Sequence, residues 1–88
     1  MKQFTITEQT AKLIALGFEK PMTLVDKYYD FDAEAYTDVK AYSIGELIGM
    51  LPKNIAMQRE EDKWKVSIGD VSITKAELID ALFELLTH

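Results

Sequence analysis

Two short phrases limit where helices can begin in this chain: Tyr42-Ser43-Ile44-Gly45-Glu46-Leu47 and Ile73-Thr74-Lys75-Ala76-Glu77-Leu78. In each, a hydroxyl can accept from the backbone N–H three residues on. The Glu can reach back to the N–H of the capping residue, and a flanking apolar pair can clamp the turn. The spacing predicts helices opening at Ile44 and at Lys75. The first must be short, because Pro52 drives Leu51 out of the helical region. The second runs to about Thr87, with Glu77, Asp80, Glu84 and Thr87 on one narrow stripe. Its apolar residues spread over an arc of about 220° at roughly 100° per residue. A third helix is expected from Thr7 as N-cap to Leu16, with Leu13, Ile14 and Leu16 on its apolar side. Gly17 supplies the left-handed stop and Phe18 folds back on Leu13, while Pro21 prevents any return to helix.

Between the helices the pattern changes period. Trp64, Val66 and Ile68 alternate with Lys63, Lys65 and Ser67, the signature of a half-buried strand. The echo Val66-Ser67-Ile68-Gly69-Asp70-Val71-Ser72-Ile73 fits a two-residue II′ hairpin that pairs Ile68 with Val71 and Val66 with Ile73. Ile55 to Glu60 is expected to pair on the other side of that strand. Met22 to Tyr29 has strand composition with imperfect alternation. Asp30 to Ala41 has neither period and reads as a long loop, with at most a short edge strand at its end. Gly45 and Gly49, one turn apart, imply close approach of a neighbouring backbone. The expected fold is α+β: one domain over residues 1–88, a small antiparallel sheet with three helices, and the long C-terminal helix packed on the sheet.

Composition narrows the chemistry. A chain of 88 residues buries roughly 60 to 65% of the surface its unfolded form exposes, enough for one modest core. There is no cysteine, so disulfides and thiolate metal sites are excluded. The opening residues lack the apolar run of a signal peptide and no stretch is long enough for a membrane span, so a soluble, cytoplasmic protein without membrane contact is expected. Fifteen acids against ten scattered bases give a net charge of -5. That balance disfavours nucleic acid, whose phosphates need a clustered basic footprint.

No catalytic constellation emerges. The single histidine is His88, which leaves no oriented imidazole for a Ser-His-acid arrangement and no nitrogen or sulfur ligand set for a transition metal. The glycines match no phosphate-binding loop. The acids Asp30, Asp32, Glu34 and Asp38 have the alternate spacing of a calcium loop, but Ala35 stands where such a loop needs Gly and Ala41 where it needs a bidentate Glu. No cofactor, metal or catalytic residue is expected. Aromatic residues crowd the same region: Tyr28, Tyr29, Phe31, Tyr36 and Tyr42. Packing of about half of them over the small sheet is the stronger expectation; the functional one is a protein-binding surface of Tyr28, Tyr29, Phe31 and Tyr36. The wide arc of the last helix implies incomplete cover, which makes Ile79 and Phe83 the expected interface residues of a weak homodimer or a docking patch.

The order of elements resembles that of small phage and prophage proteins. It runs from Leu13-Ile14-Ala15-Leu16-Gly17-Phe18 through a tyrosine-rich acidic loop to Ser43-x-x-Glu46-Leu47 ending at Leu51-Pro52. Trp64-Lys65-Val66-Ser67 and the apolar run Leu78 to Leu86 follow. The resemblance spans most of the chain and rests on structural motifs. It implies a small α+β protein of mobile-element origin without an assigned activity, and it transfers no site residues. The function expected from all of this is that of a small non-enzymatic interaction protein with an unknown protein partner. The alternatives are an acidic inhibitor occupying a basic nucleic-acid-binding surface of another protein and, with least support, a carboxylate-dependent enzyme.

Overall fold

The computed structural model describes residues 2–18 and 22–88; the expected helix stop at Pro21 lies outside them. Three helices and five strands follow in the order α1 (Thr7–Ala15), β1 (Thr23–Asp30), β2 (Ala35–Ala41), α2 (Ile44–Met50), β3 (Ala56–Glu60), β4 (Lys63–Ile68), β5 (Val71–Lys75) and α3 (Leu78–Thr87). The strands form two antiparallel sheets, β1-β2 and β3-β4-β5, and α3 packs on β4 and β5. The fold is α+β as the sequence predicts, with two small sheets in place of one.

The core is built around α3. Leu78, Ile79, Ala81, Leu82 and Leu85 are buried and meet Leu13 of α1, Leu47 of α2, Val66 of β4 and Tyr42 between β2 and α2. Trp64, Ile68, Val71, Ile73, Phe83 and Leu86 pack half-buried against this cluster. Most of the wide arc of α3 is thus covered from within the chain. Ile79, expected at an interface, is fully buried, and Phe83 packs against the core. The reason is that β4, β5 and α2 all lie against α3, which closes the flank that carries Ile79 and leaves Phe83 and Leu86 part-exposed.

Local signals account for several boundaries. Around α2, Ser43 Oγ accepts from Glu46 N at 3.1 Å and Glu46 Oε1 accepts from Ser43 N at 2.8 Å, a complete capping box. After α1, the Gly17 N–H donates to Ile14 O and the Phe18 N–H to Leu13 O, with Gly17 at φ +90°, the two bonds of a Schellman stop. The β4–β5 hairpin pairs Ile68 with Val71 and Val66 with Ile73. Gly69 there has φ +56°, as the first central residue of a II′ turn requires.

Other expectations are overturned. Thr74 is not a helix cap: it sits in β5 opposite Lys65, and α3 begins at Leu78, three residues after the expected Lys75, with Glu77 at the N-cap and no side-chain capping bond. The strand ladder claims Thr74, and Glu77 Oε2 accepts from Lys2 N at 2.8 Å instead of reaching back. The segment read as a loop contains β2, paired with β1 from Thr23↔Ala41 to Asp30↔Ala35. It shows no clear period of 2 because β1 is exposed between its ends and the half-buried face of β2 is made of Thr37, Val39 and Ala41, too small or polar to stand out against Tyr36, Asp38 and Lys40. Ile14 and Leu16 are exposed, leaving Leu13 as the buried apolar residue of α1. At Gly49 a Cβ would meet nothing within 4 Å, and at Gly45 only Ser43 Oγ at 4.0 Å, so no close backbone approach uses them.

Polar contacts tie the N-terminal segment to the rest. The Tyr42 N–H donates to Thr5 Oγ1 at 3.0 Å, the two hydroxyls of Thr5 and Thr10 are 2.7 Å apart, and Thr10 Oγ1 donates to Ile6 O at 3.0 Å. Since Thr10 commits its proton to Ile6, the proton between the hydroxyls must come from Thr5, which leaves both buried groups satisfied. Asp80 Oδ1 accepts from Lys2 Nζ at 2.8 Å and Gln9 Nε2 at 2.9 Å. Partial burial opposes its charge. The donations from Lys2 and Gln9 and the charges of Lys2 and Lys75 outweigh that and hold the carboxyl below its ordinary range. A group depressed in the folded state contributes stability above its unfolded value, about 3.9, and loses it as pH falls through the lower folded value. Asp80→Asn should therefore flatten the acid limb of a stability-versus-pH profile, read by thermal melts below about pH 4.

Packing makes two opposite predictions. Leu82→Ala leaves a cavity at the centre of the core and should cost about 2 to 5 kcal/mol. Gly49→Ala adds a Cβ in open space on a helix and should stabilise by about 0.5 to 1 kcal/mol. Denaturant melts measure both; a neutral Leu82→Ala would mean that α3 does not face the core.

Candidate functional site

The β1-β2 hairpin stands apart from this core. Its strands contact each other extensively and no other helix or strand to a comparable degree. At about 3.3 Å per residue it extends about 25 Å, within a molecule measuring 49 × 28 × 17 Å. Its base is anchored: Thr23 Oγ1 donates to Glu46 Oε1 at 3.0 Å, the same oxygen that completes the box of α2, and Ala41 is buried. A register shift between Leu24 and Asp26 places one bulged residue near the base.

The tip is ordered by its own turn. Asp30 Oδ1 accepts from Asp32 N at 3.0 Å and Ala33 N at 3.3 Å, closing residues 31–34, and Glu34 takes φ +53° before the chain enters β2. The aspartate that begins the supposed calcium spacing is therefore used to fold the turn. Among the described residues no three His, Asp or Glu side chains assemble a site for a metal ion.

All four sequence-predicted binding residues lie on this hairpin and are exposed: Phe31 by 83%, Tyr36 by 68%, Tyr28 by 55% and Tyr29 by 42%. The expected burial of half of the aromatics over a sheet holds for Tyr42 alone. Its ring is in the core, its hydroxyl donates to Phe18 O at 3.3 Å, and burial, then the nearby Glu46 carboxylate, raise its pKa.

The four exposed rings are divided between the two faces. Tyr29 and Tyr36 are directly paired across the strands and share a face, whereas Tyr28 pairs with Thr37 on the other. Tyr29 meets Phe31 edge-on at 5.0 Å and Tyr36 edge-on at 5.3 Å, so these three form one aromatic cluster. Lys27 Nζ lies 5.3 Å from the centre of the Tyr36 ring. Tyr28 instead borders a groove of about 380 Å³ that runs between the hairpin and the Thr10, Ala11 and Ile14 side of α1. Sequence reasoning found these aromatics; it missed the exposed Ile14, which lines the groove, because helical spacing had assigned that residue to the core.

Compared with protein-family models, with curated proteins and with solved structures, the chain matches none. No helix of the described residues is long and apolar enough to cross a membrane.

Proposed function

We propose that the protein is a small non-enzymatic interaction module whose contact surface is the projecting β1-β2 hairpin. The observation that carries this reading is the cluster of Tyr29, Phe31 and Tyr36, held in fixed edge-on geometry yet open to solvent. An isolated two-stranded hairpin is marginal in water, and contiguous exposed apolar area on a small protein marks a place where another molecule binds. Tyrosine and phenylalanine offer large area with few rotors to immobilise, which suits recognition.

The partner is a protein, since the acidic balance repels phosphate backbones. The acidic-inhibitor reading uses the same hairpin, whose strands and turn hold five acids (Asp26, Asp30, Asp32, Glu34 and Asp38) against two bases (Lys27 and Lys40). A carboxylate-dependent enzyme gains nothing from Asp80, whose acidity is increased, the wrong direction for a general acid near neutrality. Residence in the cytoplasm and a mobile-element origin, as the resemblance to small phage proteins implies, fit a role directed at a host or phage protein.

Replacing Phe31 with a benzophenone-bearing amino acid in the source cell tests the reading. Irradiation should yield an adduct of discrete mass from position 31 and not from the same group placed at Met57, which is exposed on β3. An adduct of twice the chain's mass would identify the partner as a second copy. Absence of any adduct from position 31, or the same products from both positions, would overturn the assignment.

A further inference from the structure

Building on the hairpin as contact surface, we infer that its tip seats arginine side chains of the partner protein. Between Asp30 and Ala35 the chain carries three acids and no base, surrounding Phe31, the most exposed of the large apolar residues. Asp30 spends one oxygen on the turn. Among the described residues, Asp32 and Glu34 side chains make no hydrogen bond or ion pair. Two unengaged carboxylates thus follow Phe31 in the turn that carries the aromatic cluster.

Charge complementarity decides the occupant. An aliphatic surface docking on the rings would draw these carboxylates out of water without a partner, a loss that offsets the gain from burying the aromatics. A guanidinium meets both demands: its plane stacks on a ring while its N–H groups donate to a carboxylate in bidentate fashion. A lysine ammonium is more strongly hydrated and bonds as a point, so it satisfies the acids but covers less of the rings. The hairpin already holds one cation over a ring, Lys27 over Tyr36, leaving Phe31 and Tyr29 for an incoming one. The β3-β4 turn supplies an internal comparison. Glu60, Glu61 and Asp62 are equally acidic, but the neighbouring Trp64 is already covered by Arg59, at 5.5 Å from its ring. Acidity alone would attract a basic partner to both turns; acidity with open rings attracts it to one.

Titration of the whole protein with a short peptide of alternating arginine and glycine, followed by backbone amide NMR, tests this. The arginine peptide should move the resonances of residues 29–36, the lysine counterpart should bind more weakly, and the uncharged citrulline isostere should not bind. Phe31→Ala should weaken the arginine peptide about two- to fivefold, the factor of a solvent-exposed cation–π contact. Asp32→Asn with Glu34→Gln should weaken it further at low salt. In both variants, unmoved resonances outside the hairpin report an intact fold. Equal binding of arginine and citrulline peptides, or equal shifts at the Glu60-Glu61-Asp62 turn, would overturn the inference. If position 31 still crosslinks to a discrete protein while the arginine preference is absent, the hairpin remains the contact surface and the arginine seat alone falls.

Discussion

Burial of the apolar face of α3 is the constraint on which the remaining structure depends. Five of the nine residues in the buried cluster belong to this helix, and at about 1.5 to 3 kcal/mol for each fully buried large aliphatic side chain it supplies much of the driving force for folding. The other elements are arranged as cover. Strands β4 and β5 close one side, α2 closes another, and α1 and the Tyr42 corner contribute one large side chain each. A core this small has no further apolar surface with which to cover a hairpin of some twenty residues, so β1 and β2 project. Their exposure follows from the same shortage that makes α3 indispensable.

Polar joins do what apolar area cannot at the edges of this core. The chain before α1 runs beside Tyr42 and Ser43, where Thr5 N donates to Tyr42 O at 2.9 Å and Ile44 N donates to Gln3 O at 3.3 Å. Backbone so placed would leave costly unpaired groups. The hydroxyls of Thr5 and Thr10 remove that cost by passing one chain of donors and acceptors from Tyr42 to Ile6. At the start of α3, Lys2 and Gln9 converge on Glu77 and Asp80. This joins the N-terminal segment to the start of α3 and places carboxylates at the positive end of the helix dipole, where they are favoured. Glu46 acts similarly at the hairpin base, with one oxygen serving both the cap of α2 and Thr23.

Which features were legible in the sequence depended on the range of the forces behind them. The Gly17-Phe18 stop, the Ser43-Glu46 box and the Gly69 hairpin are set by residues within a few positions of one another, and all three form as the spacing predicts. Thr74 and Glu77 have the same local grammar, yet strand pairing with Lys65 and the distant N–H of Lys2 outcompete it. β2 was legible only as a short edge strand at the end of a loop: its half-buried face is Thr37, Val39 and Ala41, residues too small or polar to give the alternation a strong signal. Gly45 and Gly49 suggested a close backbone approach that neither makes, because a glycine can be tolerated without being required. Tyr28, Tyr29, Phe31 and Tyr36 stood out by composition, but only the placement of the hairpin separates them from Tyr42, which is in the core.

The acids of the hairpin tip admit a second physical role. Charged residues on exposed strands discourage edge-to-edge pairing between copies, and a two-stranded sheet has both outer edges open. Protection of this kind explains the carboxylates and the bulge at the base, but not Phe31, whose exposed ring works against it by adding apolar surface at the outermost point. Edge protection needs charge without aromatics, and an aliphatic docking patch needs apolar area without charge. Tyr29, Phe31 and Tyr36 beside Asp32 and Glu34 satisfy neither requirement alone. Stacked, charge-assisted recognition of a cationic side chain uses both.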